Sequence, residues 1–245
     1  MIDIHSHVLP GIDDGAEDLA QAVEMCRLAA ADGVRIMITT PHQRSPSWDN
    51  SDARRLHTLR RDLQDAIGAL PRLLPGGELR VNAEFLDEMA DHERHGLLPL
   101  AGSRYLLVEL DRHDPRPDAI GLAHELLVAG WRPIFAHPEF IPALREDLDL
   151  MHRLRQMGAH FQITAMCLTG DVGRPAKDRC LAMIDEGLVQ FVASDAHGVD
   201  WRPPGLSAAR REIAKRWGDE AARDLTETNA TAVVENRPLA VPASI

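Results

Sequence analysis

Short apolar runs of strand length alternate with longer stretches of helical spacing along most of the chain, and no other feature restricts the fold as much. The strand candidates are residues 2–5, 34–40, 72–78, 104–110, 132–137, 159–165 and 189–194. Helical spacing runs through 17–32, 51–69, 116–130, 144–157, 174–187, 206–217 and 219–229. In the first of these, Leu19, Val23, Cys26, Leu28 and Ala30 make the expected apolar stripe, and Asp32-Gly33 is the stop signal. Gly68, Gly130, Gly158 and Gly187 punctuate later helices in the same way. Strand-then-helix repeated seven times points to an α/β fold with a parallel sheet and helices outside it, because such strands are buried on both faces. Within that class the choice is a closed (β/α) barrel or an open doubly wound sheet. No GxGxxG follows the first strand and no Walker-type loop occurs, so nucleotide-binding forms of the open sheet lose their main support. The expected organisation is a single domain over 1–236, with a long loop at 41–54 and a proline-containing surface tail at 237–245.

Charge narrows the partners. Lys and Arg number 27 against 38 Asp and Glu, a formal net charge of −11, which leaves no overall electrostatic footprint for nucleic acid or an anionic membrane. No apolar run approaches the roughly 18 residues a membrane helix needs. The chain opens Met-Ile-Asp-Ile-His, without the pattern of a signal peptide, and Cys26, Cys167 and Cys180 form no CxxC. A reducing cytoplasm is therefore the expected location, and neither a disulfide framework nor a zinc knuckle is expected.

What stands out is the placement of the histidines. His5 and His7 close the first strand, and alternation along an extended strand turns both imidazoles to one side. His42 lies just past strand two, Glu78 ends strand three and Glu109 falls near the end of strand four. His137 ends strand five, while Asp195 and His197 follow strand seven. Each strand but the sixth thus delivers a metal-competent side chain at its carboxyl end, the face on which barrel enzymes build their sites. His57, His92, His95, His113, His124 and His152 lie in helical or loop segments and His160 at the start of the sixth strand, where surface or ordinary core roles are expected.

Nitrogen and oxygen donors without cysteine suit manganese, iron or zinc, and eight of them imply two or three ions rather than one. Clustered ions lower the pKa of bound water and clamp attacking and leaving oxygens, chemistry suited to phosphate-ester hydrolysis. A cysteine-dependent phosphatase is excluded, because no cysteine has an arginine six positions on. The common binuclear amidohydrolase needs a strand lysine, but Lys177 and Lys215 both fall in helical segments. A lysine-free amidohydrolase stays open.

These motifs resemble those of the PHP (polymerase and histidinol phosphatase) family, specifically its manganese-dependent bacterial tyrosine phosphatases of capsule and exopolysaccharide loci. The resemblance runs through Met1–Gly15, Thr40-Pro41-His42, Leu74–Glu78, Tyr105–Glu109, His137-Pro138-Glu139 and Ser194–His197. It implies a distorted (β/α)7 barrel holding a trinuclear centre on His5, His7, His42, Glu78, Glu109, His137, Asp195 and His197, with Glu78 bridging. It also implies a phosphotyrosine substrate on a cognate bacterial tyrosine kinase. The family's His-Pro-Glu-Arg reads His137-Pro138-Glu139-Phe140 here, so one of two expected phosphate-gripping arginines is missing; the other corresponds to Arg202. Phe140 is expected to pack on a substrate ring, and Arg44 to be a candidate replacement for the lost charge. The expected mechanism is direct in-line attack by hydroxide held between the ions, with Arg202 stabilising developing charge. Asp14, with Asp13, is placed either to orient water or protonate the leaving group, or to form a structural turn. A small phosphomonoester, or a kinase-binding role with little catalysis, are the alternatives. Oligomeric state is not legible.

Overall fold

The computed structural model describes residues 1–81, 97–113 and 118–239. The first half carries β1 (Ile2–Asp3), α1 (Leu19–Ala31), β2 (Ile36–Thr39), β3 (His42–Gln43), α2 (Ala53–Ile67), β4 (Arg72–Pro75), β5 (Glu78–Val81) and β6 (Tyr105–Leu110). There follow α3 (Ala119–Val128), β7 (Arg132–Ala136), α4 (Pro142–Arg145), α5 (Leu148–Met157), β8 (His160–Thr164), α6 (Ala165–Thr169), α7 (Arg174–Asp185), β9 (Phe191–Ala193), α8 (Ser207–Arg223) and α9 (Asn229–Val234). The strands form two sheets, ordered β1-β2-β4 and β3-β5-β6-β7-β8-β9, with every described pairing parallel. His92 and His95, the first two residues of the helix expected at 116–130, and the end of the tail lie outside the described residues.

The run expected at 34–40 holds β2 alone, and a short further strand, β3, lies in the expected loop at 41–54, set off by Pro41, which removes a ladder donor. The run expected as one strand at 72–78 is split between β4 and β5. There Gly76-Gly77 passes too close to its neighbours for any side chain: a Cβ on Gly76 would lie 2.7 Å from Ile38 Cγ2, and one on Gly77 2.2 Å from Gln43 Oε1. Hydrogen bonds continue across the breaks, Thr40 N–H donating to Ser6 O (2.8 Å) and Glu78 N–H to Pro41 O (3.1 Å). At the other side, Ser6 bridges Ala196, His7 N–H donates to Ala196 O (2.9 Å) and Asp195 N–H donates to His5 O (2.9 Å).

Two apolar clusters lie on the two faces of these strands. The larger packs the sheet against the helices, and the smaller gathers Ile2, Ile4, Ile38, Tyr105, Leu107, Ile134, Phe191 and Ala193 against α9 residues Ala230 and Val233. The buried stripe of α1 is Ala22, Met25, Cys26 and Ala29, rotated from the expected one; Leu19 is exposed. Small alanines let this helix approach closely, whereas counting only the larger apolar residues selects a neighbouring face. Asp18 caps α1 by accepting from Gln21 N–H (2.9 Å). The separation expected between 206–217 and 219–229 is a kink at Gly218, followed by a π turn at Asp224–Thr228. The tail begins docked: Tyr105 Oη donates to Arg237 O (2.8 Å), and Leu239 packs on the smaller cluster.

Candidate metal centre

Alternation carries the smaller cluster's face upward into a polar site. Glu109 continues the face of Tyr105 and Leu107, and Asp195 that of Phe191 and Ala193. His137 and Asp195 then adopt left-handed backbone, with φ of 34° and 52°. For residues other than glycine such a conformation costs on the order of 1–3 kcal/mol and persists where the surroundings over-determine it. Strand β1 is fixed by Asp3, fully buried, which accepts from Ser194 N–H (3.1 Å) and Ser194 Oγ–H (2.5 Å). Past His7 the chain doubles back so tightly that a Cβ on Gly15 would lie 2.0 Å from His7 O.

The eight side chains expected from strand ends converge. Donor atoms within 4.8 Å of one another fall into three overlapping sets: His5, His7 and Asp195; His42, Glu78 and Glu109; and His7, Asp14, His42 and His197. His137 joins through Nε2, 2.9 Å from Glu78 Oε1 and 3.9 Å from Glu109 Oε1. Glu78 is the hub: its carboxylate also stands 3.4 Å from His5 Nε2, 3.5 Å from His7 Nε2 and 2.8 Å from His42 Nδ1.

The ring nitrogens show what this arrangement accommodates. His5 Nδ1 donates to Gln162 Oε1 (2.8 Å), and His7 Nδ1 donates to Asp13 Oδ2 (2.8 Å). His197 Nδ1 donates to Asp195 O (2.8 Å). With its proton on Nδ1, each ring when neutral presents an Nε2 lone pair to the site. Yet His5 Nε2 and His7 Nε2 face each other at 3.2 Å. Two lone pairs at that distance repel unless a cation lies with them, and second-shell acceptors on the far nitrogen are the usual device for orienting metal-bound histidine. His137 Nδ1, buried, has no hydrogen-bond partner. The donor set is N and O only and fits borderline-to-hard divalent ions.

Electrostatics point the same way. Burial pushes the His42 pKa down, but the Glu78 charge and the hydrogen bonds that the ring donates to Asp14 and Glu78 outweigh it and raise it to about 11. His137 is also raised, against burial, by its Glu78 contact. His7, buried and beside the His197 charge, falls to about 3. Burial opposes ionisation of Asp14, but hydrogen bonds to His197 and His42 hold its carboxyl well below the usual carboxylate range. The carboxylates gather positive charge onto whichever rings can take it, as a site built around cations would.

Above the donors opens a cavity of about 410 Å³. Phe140, Met166, Val172 and Trp201 give it apolar walls, and Arg112 and Arg202 face it. Arg202 forms an ion pair with Asp195 Oδ2 and lies 3.4 Å from His197 Nε2. Of the expected substrate contacts, Phe140 and Arg202 line the cavity, whereas Arg44 does not. Arg44 belongs to the loop after β3, its N–H donating to Asp49 O (3.1 Å), and from that loop Trp48 stacks on His42 at 5.3 Å. Asp14 stands 3.3 Å from His42 Nε2 and 3.4 Å from His197 Nε2, inside a donor set. Sequence reasoning missed Arg112, Met166, Val172 and Trp201 as lining residues, and Gln162 as the residue orienting His5. A polar side chain in the middle of the apolar run His-Phe-Gln-Ile-Thr was the available signal for Gln162.

Fold and site define an α/β protein with a cluster of N and O donors that could hold metal ions at the carboxyl ends of parallel strands. The family model described as "Capsular polysaccharide synthesis, CpsB/CapC" matches residues 1–235, and the chain belongs to that family. It is 36% identical over 247 residues to the tyrosine-protein phosphatase YwqE of Bacillus subtilis (strain 168), covering 98% of this chain and 93% of that protein. Against the tyrosine-protein phosphatase CpsB of Streptococcus pneumoniae it is 27% identical over 242 residues, covering 96% of this chain and 98% of that protein. Among solved structures, one from the pair YwqE of Bacillus subtilis and CpsB of Streptococcus pneumoniae, described as unique metal-dependent tyrosine phosphatases, superposes with a TM-score of 0.87 at 35% identity. That match covers 99% of this chain and 100% of the other. An organophosphorus hydrolase variant from Deinococcus radiodurans shares the fold alone, with a TM-score of 0.56 at 14% identity over 95% of this chain and 90% of that one.

Proposed function

We propose that the chain is a metal-dependent protein-tyrosine phosphatase. One observation carries the proposal: a single cavity lined both by an N/O donor cluster with Arg202 and by apolar side chains. A phosphate ester of an aromatic alcohol has matching halves. Its phosphoryl group suits the donor cluster and Arg202, while its ring suits Phe140, Met166, Val172 and Trp201.

His5, His7, His42, Glu78, Glu109, His137, Asp195 and His197 would hold two or three ions, and the three overlapping donor sets support the higher number. Manganese is the first expectation, with iron or zinc equally compatible with the donors. Bound there, divalent ions would acidify water and offset phosphoryl charge. Arg202 holds phosphoryl oxygens through charge-assisted hydrogen bonds, and Asp195 fixes its guanidinium. Asp14 lies within reach of His42 Nε2 and His197 Nε2. Its place in a donor set favours ligation or water orientation over general acid catalysis. Asp13 and Gln162 keep His7 and His5 in the tautomer that exposes Nε2.

The frame proposed for this site is a closed seven-stranded barrel of PHP type, with β2/β3 and β4/β5 each counted as one interrupted strand. The Ser6–Ala196 bridge, the flanking hydrogen bonds of His7 and Asp195, and the apolar cluster on one face of the strands support closure. The proposed physiological substrate is a phosphotyrosine-bearing bacterial kinase of polysaccharide export, in keeping with the family's role in capsule synthesis. A cytoplasmic setting goes with that proposal; no helix among the described residues is long and apolar enough to cross a membrane. The test compares phosphate release from a phosphotyrosine peptide with release from sugar phosphates and histidinol phosphate. Preference for the peptide is expected, and faster turnover of the small esters would overturn the substrate assignment.

A further inference from the structure

Two arginines face the cavity, and only one of them has a role so far. Arg202 stands by Asp195 and His197, beyond β9. Arg112 follows β6, its Nη2 lying 3.6 Å from Glu109 Oε1. In the sheet β6 and β9 are separated by β7 and β8, so the two arginines reach the one cavity from different strand ends. We propose that Arg112 is a second phosphate-gripping residue, holding the substrate's phosphoryl oxygens together with Arg202. The proposal rests on the phosphatase function put forward above.

Two observations favour it over a passive surface ion pair. First, Arg112 lines the cavity, and its contact with Glu109 is longer than a hydrogen bond, so that contact does not consume its N–H donors. Second, a neighbouring arginine provides a contrast. Arg80 Nη1 also faces Glu109, at 4.0 Å, but Arg80 Nη2 is committed to Asp111 Oδ1 at 2.7 Å and Arg80 does not line the cavity. An anion bound in a cavity lined by both guanidiniums would meet both of them. Planar, forked donors suit a phosphoryl group better than a point charge does. Phe140, on another wall of the cavity, presents a ring and no charge there, which leaves Arg112 as the second guanidinium among the described lining residues.

The experiment uses Arg112→Ala, Arg112→Lys and Arg80→Ala in the metal-loaded full chain. Phosphotyrosine-peptide kinetics, calorimetric affinity for inorganic phosphate and metal content by mass spectrometry are read together. Arg112→Ala should lower both kcat/KM and phosphate affinity about ten- to a hundredfold, the scale of one lost charge-assisted contact. Metal content should be unchanged, lysine should restore part of the loss, and Arg80→Ala should change either constant less than about threefold. Phosphate affinity in Arg112→Ala within threefold of the parent would overturn the proposal. So would an equal loss in Arg80→Ala, or a fall in metal content, since either would mean that Arg112 acts through Glu109. Phosphate binding that depends on Arg112, with no peptide hydrolysis by the parent protein, would support the clamp and overturn the phosphatase function instead.

Discussion

Replacing Asp13 with asparagine perturbs the centre without removing a donor from it. Asp13 Oδ2 accepts from His7 Nδ1 (2.8 Å) and from His42 N–H (3.1 Å), while Oδ1 accepts from Gly15 N–H (3.0 Å). Burial opposes the charge, but the His7 contact and hydrogen bond keep this carboxyl below its usual range. Asparagine offers one oxygen where three donors need two. If its NH2 faces His7, the imidazole must accept at Nδ1, and its proton moves to Nε2, which then points a hydrogen into the donor cluster. If its NH2 faces Gly15, the His7 tautomer survives, but the carboxylate charge that raises ring basicity is gone. Either way a buried donor loses its partner, at about 1–3 kcal/mol. Loss of an outer-shell carboxylate typically weakens metal affinity about 10- to 100-fold, or roughly 1.4–2.7 kcal/mol. Competition against a metallochromic chelator gives the affinity, and circular dichroism checks that the fold is intact. A folded Asp13→Asn protein that binds metal within twofold of the parent would refute the tautomer argument.

Other outcomes follow from the same geometry. Gly15→Ala places a Cβ against His7 O and His7 Cβ, at 2.0 and 2.5 Å. It should cost at least about 1–3 kcal/mol in urea unfolding and weaken metal binding as His7 shifts. Phe140→Ala should lower kcat/KM for a phosphotyrosine peptide about tenfold more than for an alkyl phosphate, since the ring wall serves only the aromatic ester. His160 is pushed down to about 3 by burial and by the Arg155 and Arg132 charges, and its Nδ1 accepts from Arg155. An unfolded chain therefore binds a proton there that the folded chain refuses, between about pH 6.5 and 3. Stability from this group is full above pH 6.5 and is lost on acidification, with a slope of at most about 1.4 kcal/mol per pH unit. In chelator-treated protein, His160→Asn should flatten urea-derived stability against pH over that window.

The strand-end residues were legible because two periodicities cooperate. Alternation puts Glu109 on the face of Tyr105 and Leu107, and β/α connection puts every strand's carboxyl end on one side of the sheet. Residues that act across the sheet were not legible. Gln162 meets His5 from 157 positions away, and nothing local to either marks the pair. Asp14 was visible as an acid near the site, but its placement between His42 and His197 depends on the turn that Gly15 permits. Arg112 and Arg44 look alike in sequence, each a loop arginine close after an expected ligand. Only the course of the two loops decides which of them faces the cavity. The strand break was written in Gly76-Gly77, yet a reading by apolar runs smooths over it.

The central claim is that this donor cluster performs metal-dependent hydrolysis of phosphotyrosine. Phosphate release from a phosphotyrosine peptide tests it most directly, measured on one preparation as purified, after chelator treatment and dialysis, after Mn²⁺ is restored, and after iodoacetamide treatment. Cys26, Cys167 and Cys180 are all buried free thiols and line no part of the cavity. Release should disappear with the metal, return with Mn²⁺ and be indifferent to alkylation. Release that survives complete metal removal, or that alkylation abolishes while metal content is unchanged, would contradict the claim.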